Sequence, residues 1–204
     1  TLEIKMEHQI SAKRILIDLI SILPQIHKEF GDHERYKELI TFLMAKDYYN
    51  DDEIPYPTLK QVSSDTHLKP HYIRKLLKEV YEKVFDYNFS FDFTKVEVYF
   101  YVDYLKRYAS FKCKNMTNMP RIGENITLSF LRAKVGTDYF YVEDIRHYFE
   151  HNKQLIHIHL KGGIYNSYWY HRKHEALEKR ELSYHDLIDD YDFQLKEKIG
   201  LKYY

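Results

Sequence analysis

A short basic segment of the chain carries side chains suited to contact phosphate groups and base edges. Between Lys69 and Lys83 there are five Lys or Arg residues and two Glu, a local net charge of +3 in a chain with 31 basic and 31 acidic residues. Ammonium and guanidinium groups bind phosphate oxygens, and a guanidinium also matches the acceptor edge of guanine. The candidate contact residues are Lys69, His71, Tyr72, Arg74, Lys75 and Lys78.

Histidines form a second group of residues that could carry chemistry. The chain has 12 of them, and three stand out because 157 and 159 alternate on one predicted strand and 147 precedes them closely: His147, His157 and His159. A zinc or iron site needs three or four converging ligands, and the sequence has neither an HExxH motif nor a cysteine pair. We therefore predict no metal site and no cofactor, and keep a metal-dependent hydrolase or nuclease using these histidines as the alternative.

Other catalytic motifs are missing from the sequence. Only six glycines are present, and they form neither a glycine-rich phosphate loop nor a GxSxG motif. The one cysteine, Cys113, excludes an internal disulfide and is typical of a reducing compartment. These observations favour a binding protein over an enzyme.

The basic segment is preceded by strong signals for two consecutive short helices. In "TLKQVSSDTHLKPHYIRKLL" (58–77), Thr58 is a good N-cap for a helix over Leu59–Thr66, and "HLK" predicts a tight turn. Pro70 then suits the first position of the next helix, where its missing N–H costs nothing. The apolar side chains at 62, 68, 73, 76 and 77 would pack inward, which leaves the basic side chains of the second helix facing solvent.

This segment resembles the helix-turn-helix core of bacterial transcription regulators. Ser63 stands where that pattern usually has Ala, His67 where it usually has Gly, and Ile73 at the apolar anchor. The resemblance covers about 20 residues and implies that the second helix enters the DNA major groove. It then implies base or phosphate contacts for His71 and Tyr72, a guanine contact for Arg74, and phosphate contacts for the lysines.

The remaining patterns predict an α+β protein. Helices are expected from Ser11, from Pro24, over 33–49 with Asp32 as the cap, and twice in the tail, where Ser183 begins a helix with an apolar stripe. The segment 142–151 fits either a helix turn or the continuation of a strand, and a short helix is the favoured interpretation. Alternating apolar and aromatic runs predict strands over 88–93, 96–102, 108–113, 125–133 and 155–160. The fold is therefore expected to be a helical helix-turn-helix unit, followed by a small antiparallel β barrel or sheet with C-terminal helices.

The predicted boundary follows from the change in periodicity. We expect a helical unit at 1–90 and a β-rich unit with a helical tail at 91–204. The longest apolar stretch, "ILIDLISIL", is too short to span a bilayer, and the first residues lack the layout of a signal peptide, so a cytoplasmic protein is expected. The predicted function is sequence-specific binding of double-stranded DNA by a homo-oligomer, as a transcription regulator or a replication or mobile-element accessory factor. A protein-docking module is a further alternative.

Overall fold

A computed structural model of the chain describes residues 10–201. The expectation about a signal peptide concerns the first residues, of which 1–9 lie outside this range. Contacts within the chain divide it into two compact units. One comprises the chain up to Glu97 together with His147–Ile156, and the other comprises Val98–Arg146 and the chain from His157 onward.

The described residues of the first unit contain five helices, with the bounds α1 (Ala12–Ser21), α2 (Leu23–Phe30), α3 (Glu34–Met44), α4 (Leu59–Thr66) and α5 (Pro70–Val84). The predicted caps at Ser11 and Thr58 are confirmed, since each side chain accepts a hydrogen bond from a backbone N–H of the first turn. Two details differ from prediction. His33 rather than Asp32 caps α3, and α3 ends at Met44 instead of continuing to 49, since the chain then turns and the Asn50 N–H donates to Asp47 Oδ1 at 3.0 Å.

The apolar stripes of these helices meet in one core. α2 packs on α3, α3 on α4, α4 on α5, and α1 on α5. Every helix contributes side chains that are almost fully buried, including Leu16, Ile26, Leu39, Val62 and Ile73. Because α5 contacts both α1 and α4 along one stripe, its opposite side stays at the surface.

Five strands form one sheet: β1 (Lys95–Tyr104), β2 (Arg107–Cys113), β3 (Asn125–Thr127), β4 (Tyr139–Glu150) and β5 (Lys153–Gly162). Their order is β2-β1-β5-β4-β3, and the sheet is open, with β2 and β3 as its edges. The sequence predicted either a small barrel or a sheet for this region; the prediction of a sheet is confirmed, and the prediction of a barrel is wrong. Two-residue turns join β1 to β2 and β4 to β5, which fixes the register of both hairpins.

Three secondary-structure predictions in this region are wrong. The segment 142–151 belongs to β4 and the following turn instead of a helix, because pairing with strands distant along the chain overrides local propensity. Residues 88–93 form no strand; the Asp92 N–H is bonded by the side chain of Gln25 and not by a neighbouring strand. In 125–133 only the first three residues are a strand, followed by a 3₁₀ turn and the short helix α6 (Arg132–Val135).

The C-terminal part contains α7 (Ser167–Glu178), α8 (Tyr184–Asp189) and α9 (Asp192–Lys198). The predicted cap at Ser183 is confirmed and forms a capping box with Asp186. The prediction of a single helix with an apolar stripe is wrong, because the helix is interrupted between α8 and α9. The predicted stripe comprised Tyr184, Leu187, Ile188, Tyr191 and Leu195; of these Leu195 is buried, whereas Tyr184 and Ile188 are more than three-quarters exposed.

Candidate nucleic-acid interface

The two helices of the quoted segment are joined by a three-residue turn whose geometry follows from its residues. The Thr58 side chain and the Gln61 side chain form a reciprocal capping box at the start of α4. His67 ends α4 in the left-handed region, with φ of 55°, and Ser63 Oγ donates a hydrogen bond of 2.7 Å to the Leu68 carbonyl oxygen. Pro70 then occupies the first turn of α5. Within the turn, the Leu68 N–H also donates to Thr66 Oγ1 at 3.4 Å, so side chains of α4 bond both backbone groups of Leu68.

The capping box allows a first prediction. Replacing Thr58 with alanine removes the acceptor for the Gln61 N–H, and should lower the free energy of unfolding by about 1 kcal/mol. Urea denaturation followed by far-UV circular dichroism measures this. Thr58→Ser retains the oxygen and is expected to recover most of the loss, whereas equal losses for both variants would contradict a capping role.

The orientation of α5 is set by its apolar stripe. Its buried side chains recur at helical spacing: Ile73, Leu76, Leu77, Val80 and Val84. Five of the six candidate contact residues consequently lie exposed on the other side of the helix: Lys69, His71, Arg74, Lys75 and Lys78. Tyr72 is half-buried, since its ring packs against the core of the first unit.

The two acidic residues of the basic segment are both engaged by cations. Glu79 Oε1 accepts a hydrogen bond of 2.7 Å from the Arg35 guanidinium on α3. Glu82 lies 3.6 Å from the Lys78 ammonium, one helical turn away. Both glutamates belong to the C-terminal half of α5, so they do not offset the positive charge of its first turns. The Arg35 contact was missed by sequence reasoning, because the two residues are 44 positions apart.

The N-terminal half of α5 carries the free positive charge. Lys69, Arg74 and Lys75 make no ion pair with any other residue in the range 10–201. The positive end of the helix dipole and the first-turn N–H groups lie at the same end of α5. The structure therefore brings the predicted cations together with a helix end that favours anions.

The three candidate histidines do not form a metal site. His147 Nδ1 lies 3.0 Å from the Gln154 amide nitrogen, and the rings of His157 and His159 both contact the Tyr101 ring. Across residues 10–201, no three His, Cys, Asp or Glu side chains are grouped in a way that could hold a metal ion. The hydrolase alternative therefore lacks the histidine cluster on which it was based.

The fold is that of an α+β protein with a helical unit and an open five-stranded sheet. Comparisons of this chain with protein-family models, with curated proteins and with solved structures found no match. Among the described residues, no helix has the length and apolar character needed to cross a membrane.

Proposed function

We propose that the protein binds double-stranded DNA in a sequence-specific manner through α5, as a transcription regulator or a replication or mobile-element accessory factor. The observation that carries this proposal is the exposed cluster of Lys69, Arg74 and Lys75, which is unpaired within residues 10–201 and lies on the first turns of one helix. Cations at the start of an exposed helix suit a duplex, because the helix fits the major groove while its ends reach phosphates.

The helix pair α4–α5 supports the same proposal. A short turn with a left-handed residue, followed by a second helix buried on one side only, is the arrangement expected of a helix-turn-helix. In this proposal Arg74 reads guanine, and His71 contacts a base or a phosphate near the start of the helix. Lys69, Lys75 and Lys78 position the helix on phosphates, with Lys78 contributing least because Glu82 partly neutralises it. Tyr72 would contribute its hydroxyl edge alone, since its ring packs inward.

One such helix contacts only a few base pairs and would bind weakly. We therefore propose that two copies of the chain act together on two half-sites, one DNA turn of about 34 Å apart or a multiple of it. The cytoplasm is the compartment we propose for this activity, consistent with the single cysteine of the chain.

The double variant Arg74→Ala/Lys75→Ala tests the proposal. It should weaken binding to a selected DNA site by about a thousandfold, because the two copies together lose four base or phosphate contacts and each contact contributes about 1 kcal/mol or more. Melting temperature should change little, since both side chains are exposed and unpaired within residues 10–201. The site is obtained first by selection from genomic fragments at moderate salt, and affinity is measured by fluorescence anisotropy.

The chain offers a matched control on α1. Lys13 and Arg14 are adjacent and exposed like Arg74 and Lys75, so Lys13→Ala/Arg14→Ala removes the same charge from another surface. The control should bind DNA as the wild type does, and only the α5 variant should reduce the slope of log affinity against log salt concentration, by about 1 to 2. Equal losses in the two variants would indicate nonspecific attraction, and a folded α5 variant with unchanged affinity would refute the proposal.

A further inference from the structure

A concave surface of the second unit, in its β-sheet, contains a group of side chains that the proposed DNA interface does not use. The cavity has a volume of about 580 Å³ and is lined from four strands, β2, β1, β5 and β4, by Tyr108, Ser110, Tyr101, Asp103, His159 and Glu143. We call it the sheet trough. Its volume lies in the range of small-molecule sites, about 300–1,000 Å³.

The register of the sheet explains why these side chains meet. Tyr101 lies opposite Ser110, and Asp103 lies opposite Tyr108, in the antiparallel pairing of β1 and β2. Residues paired across two antiparallel strands point to the same face of the sheet, and so do alternate residues along one strand. All four side chains therefore project from one face. The His159 ring stacks on the Tyr101 ring, with 5.2 Å between centroids and 18° between planes, which places it on that face too.

Rings in the trough are available for stacking. Tyr108 is 66% exposed, and Tyr101 and His159 are half-buried, so each offers part of its surface to a ligand. Tyrosine rings pack favourably against other planar rings, and stacking of a nucleic-acid base on an aromatic side chain contributes about 1–3 kcal/mol. The trough therefore favours a flat ligand.

Two polar side chains of the trough, Glu143 and Asp103, carry carboxylates that can accept hydrogen bonds. Glu143 Oε1 accepts hydrogen bonds from the Lys161 ammonium at 2.6 Å and the Tyr170 hydroxyl at 2.9 Å, whereas Oε2 has no hydrogen-bond partner among residues 10–201. Burial alone would lower the pKa of Lys161, but the hydrogen bond and charge of Glu143, together with the charges of Asp192 and Tyr141, outweigh it and raise this pKa. Lys161 therefore keeps its charge, and its ion pair holds the Glu143 side chain in place. Asp103 is exposed and has no ion pair within the described part of the chain.

The charge of the trough favours a small ligand over a nucleic-acid strand. Lys161 neutralises Glu143, and the remaining charged groups lining the trough, Asp103 and Lys134, balance each other. A surface with no net positive charge does not attract a polyanion. The two carboxylates instead require a ligand with N–H donors on its edge.

We propose that the sheet trough binds a small planar heteroaromatic molecule with an exocyclic amino group, of the nucleoside type. Tyr108 holds the ring by stacking, the Tyr101 and His159 rings line the trough beside it, and Asp103 and Glu143 Oε2 accept hydrogen bonds from its donor edge. This site lies in the unit that does not contain α5, and it does not depend on DNA binding.

Isothermal titration calorimetry of the full chain with guanosine, adenosine, cytidine and uridine tests the proposal. At least one of the three nucleosides with an exocyclic amino group should bind with a Kd between about 10 μM and 1 mM, the range for about 20 non-hydrogen atoms in a partly open site. Uridine, which lacks that amino group, should bind at least about tenfold more weakly, since a charged acceptor would lose its donor. Absence of heat for all four at about 1 mM overturns the proposal.

Two variants and a control locate the binding. Tyr108→Ala should weaken the best nucleoside about tenfold by removing a stacking surface, and Asp103→Asn should weaken it by a similar factor. Tyr168→Ala is the matched control, because Tyr168 is 63% exposed in the same unit and does not line the trough. Equal effects of Tyr108→Ala and Tyr168→Ala overturn the proposal. The proposal is also overturned if a mixed-sequence single-stranded oligonucleotide binds more tightly than any nucleoside and loses this affinity in Tyr108→Ala. Thermal melting of each variant verifies that it is folded.

Discussion

Replacement of Ile73 with alanine is expected to lower the free energy of unfolding by about 2–4 kcal/mol. Ile73 is fully buried in the core of the helical unit and lies one residue before Arg74 on the basic helix. Removing three carbon atoms loses their transfer free energy and leaves a cavity that the neighbouring helices fill only in part. Urea denaturation followed by far-UV circular dichroism measures the change as a shift of the midpoint.

A matched control is available at an exposed position. Ile164 is 74% exposed, so Ile164→Ala makes the same chemical change where little apolar surface is buried, and it should alter stability by less than about 0.5 kcal/mol. If Ile73→Ala and Ile164→Ala unfold at the same urea concentration, α5 is not held by the core described above. DNA affinity of Ile73→Ala, measured well below its unfolding midpoint, should fall because α5 is less firmly positioned.

Replacement of Gln25 with leucine is expected to lower the free energy of unfolding by about 2–4 kcal/mol as well. Gln25 is only 6% exposed, and its amide joins two segments to α2. Its Nε2 donates to the His151 carbonyl oxygen at 2.5 Å, and its Oε1 accepts from the Asp92 N–H at 2.8 Å. Leucine fills similar volume but leaves both backbone groups without a partner, and each costs about 1–3 kcal/mol when water cannot reach it.

The control for this variant is Gln154→Leu. Gln154 also makes a side-chain hydrogen bond, to His147 at 3.0 Å, but at an exposed site where water can replace it. A loss of less than about 0.5 kcal/mol is expected there. Hydrogen exchange provides a second measurement, since the Asp92 amide should exchange faster in Gln25→Leu and not in Gln154→Leu. Unchanged protection of Asp92 would mean that Gln25 is not its acceptor in solution.

The helices around the basic segment could be predicted from the sequence because their determinants are local. A helix closes its hydrogen bonds within four residues, so Thr58 and Pro70 mark helix starts wherever the surrounding chain lies. Spacing by three and four also identifies Ile73 and Leu77 as buried, and thereby leaves Arg74 and Lys75 at the surface. The residues of the candidate DNA interface could thus be predicted from the sequence, and their use in DNA binding stays a proposal.

The strands were predicted less well because their partners are distant in the chain. Residues 142–151 have charged side chains at helical spacing, which favours a helix. They nevertheless belong to β4 up to Glu150, because they pair with neighbouring strands of the sheet. The alternating phenylalanines of 88–93 predicted a strand, yet the Asp92 N–H bonds to Gln25, 67 residues away. Neither pairing leaves a local signal, since β-sheet hydrogen bonds join residues without regard to their separation along the chain.

The sequence by itself determined the basic helix α5, the Thr58 cap of the preceding helix α4, the direction of the buried side of α5 and the absence of an internal disulfide, since these depend on near neighbours or on composition. Only the tertiary structure decided that Tyr101, Asp103, Tyr108, His159 and Glu143 line one trough. It alone decided that the hairpin tip at 147–156 belongs with the helices. Both arrangements depend on strand register and on buried side-chain bonds between residues far apart in sequence, where a shift of one residue would turn every side chain to the opposite face.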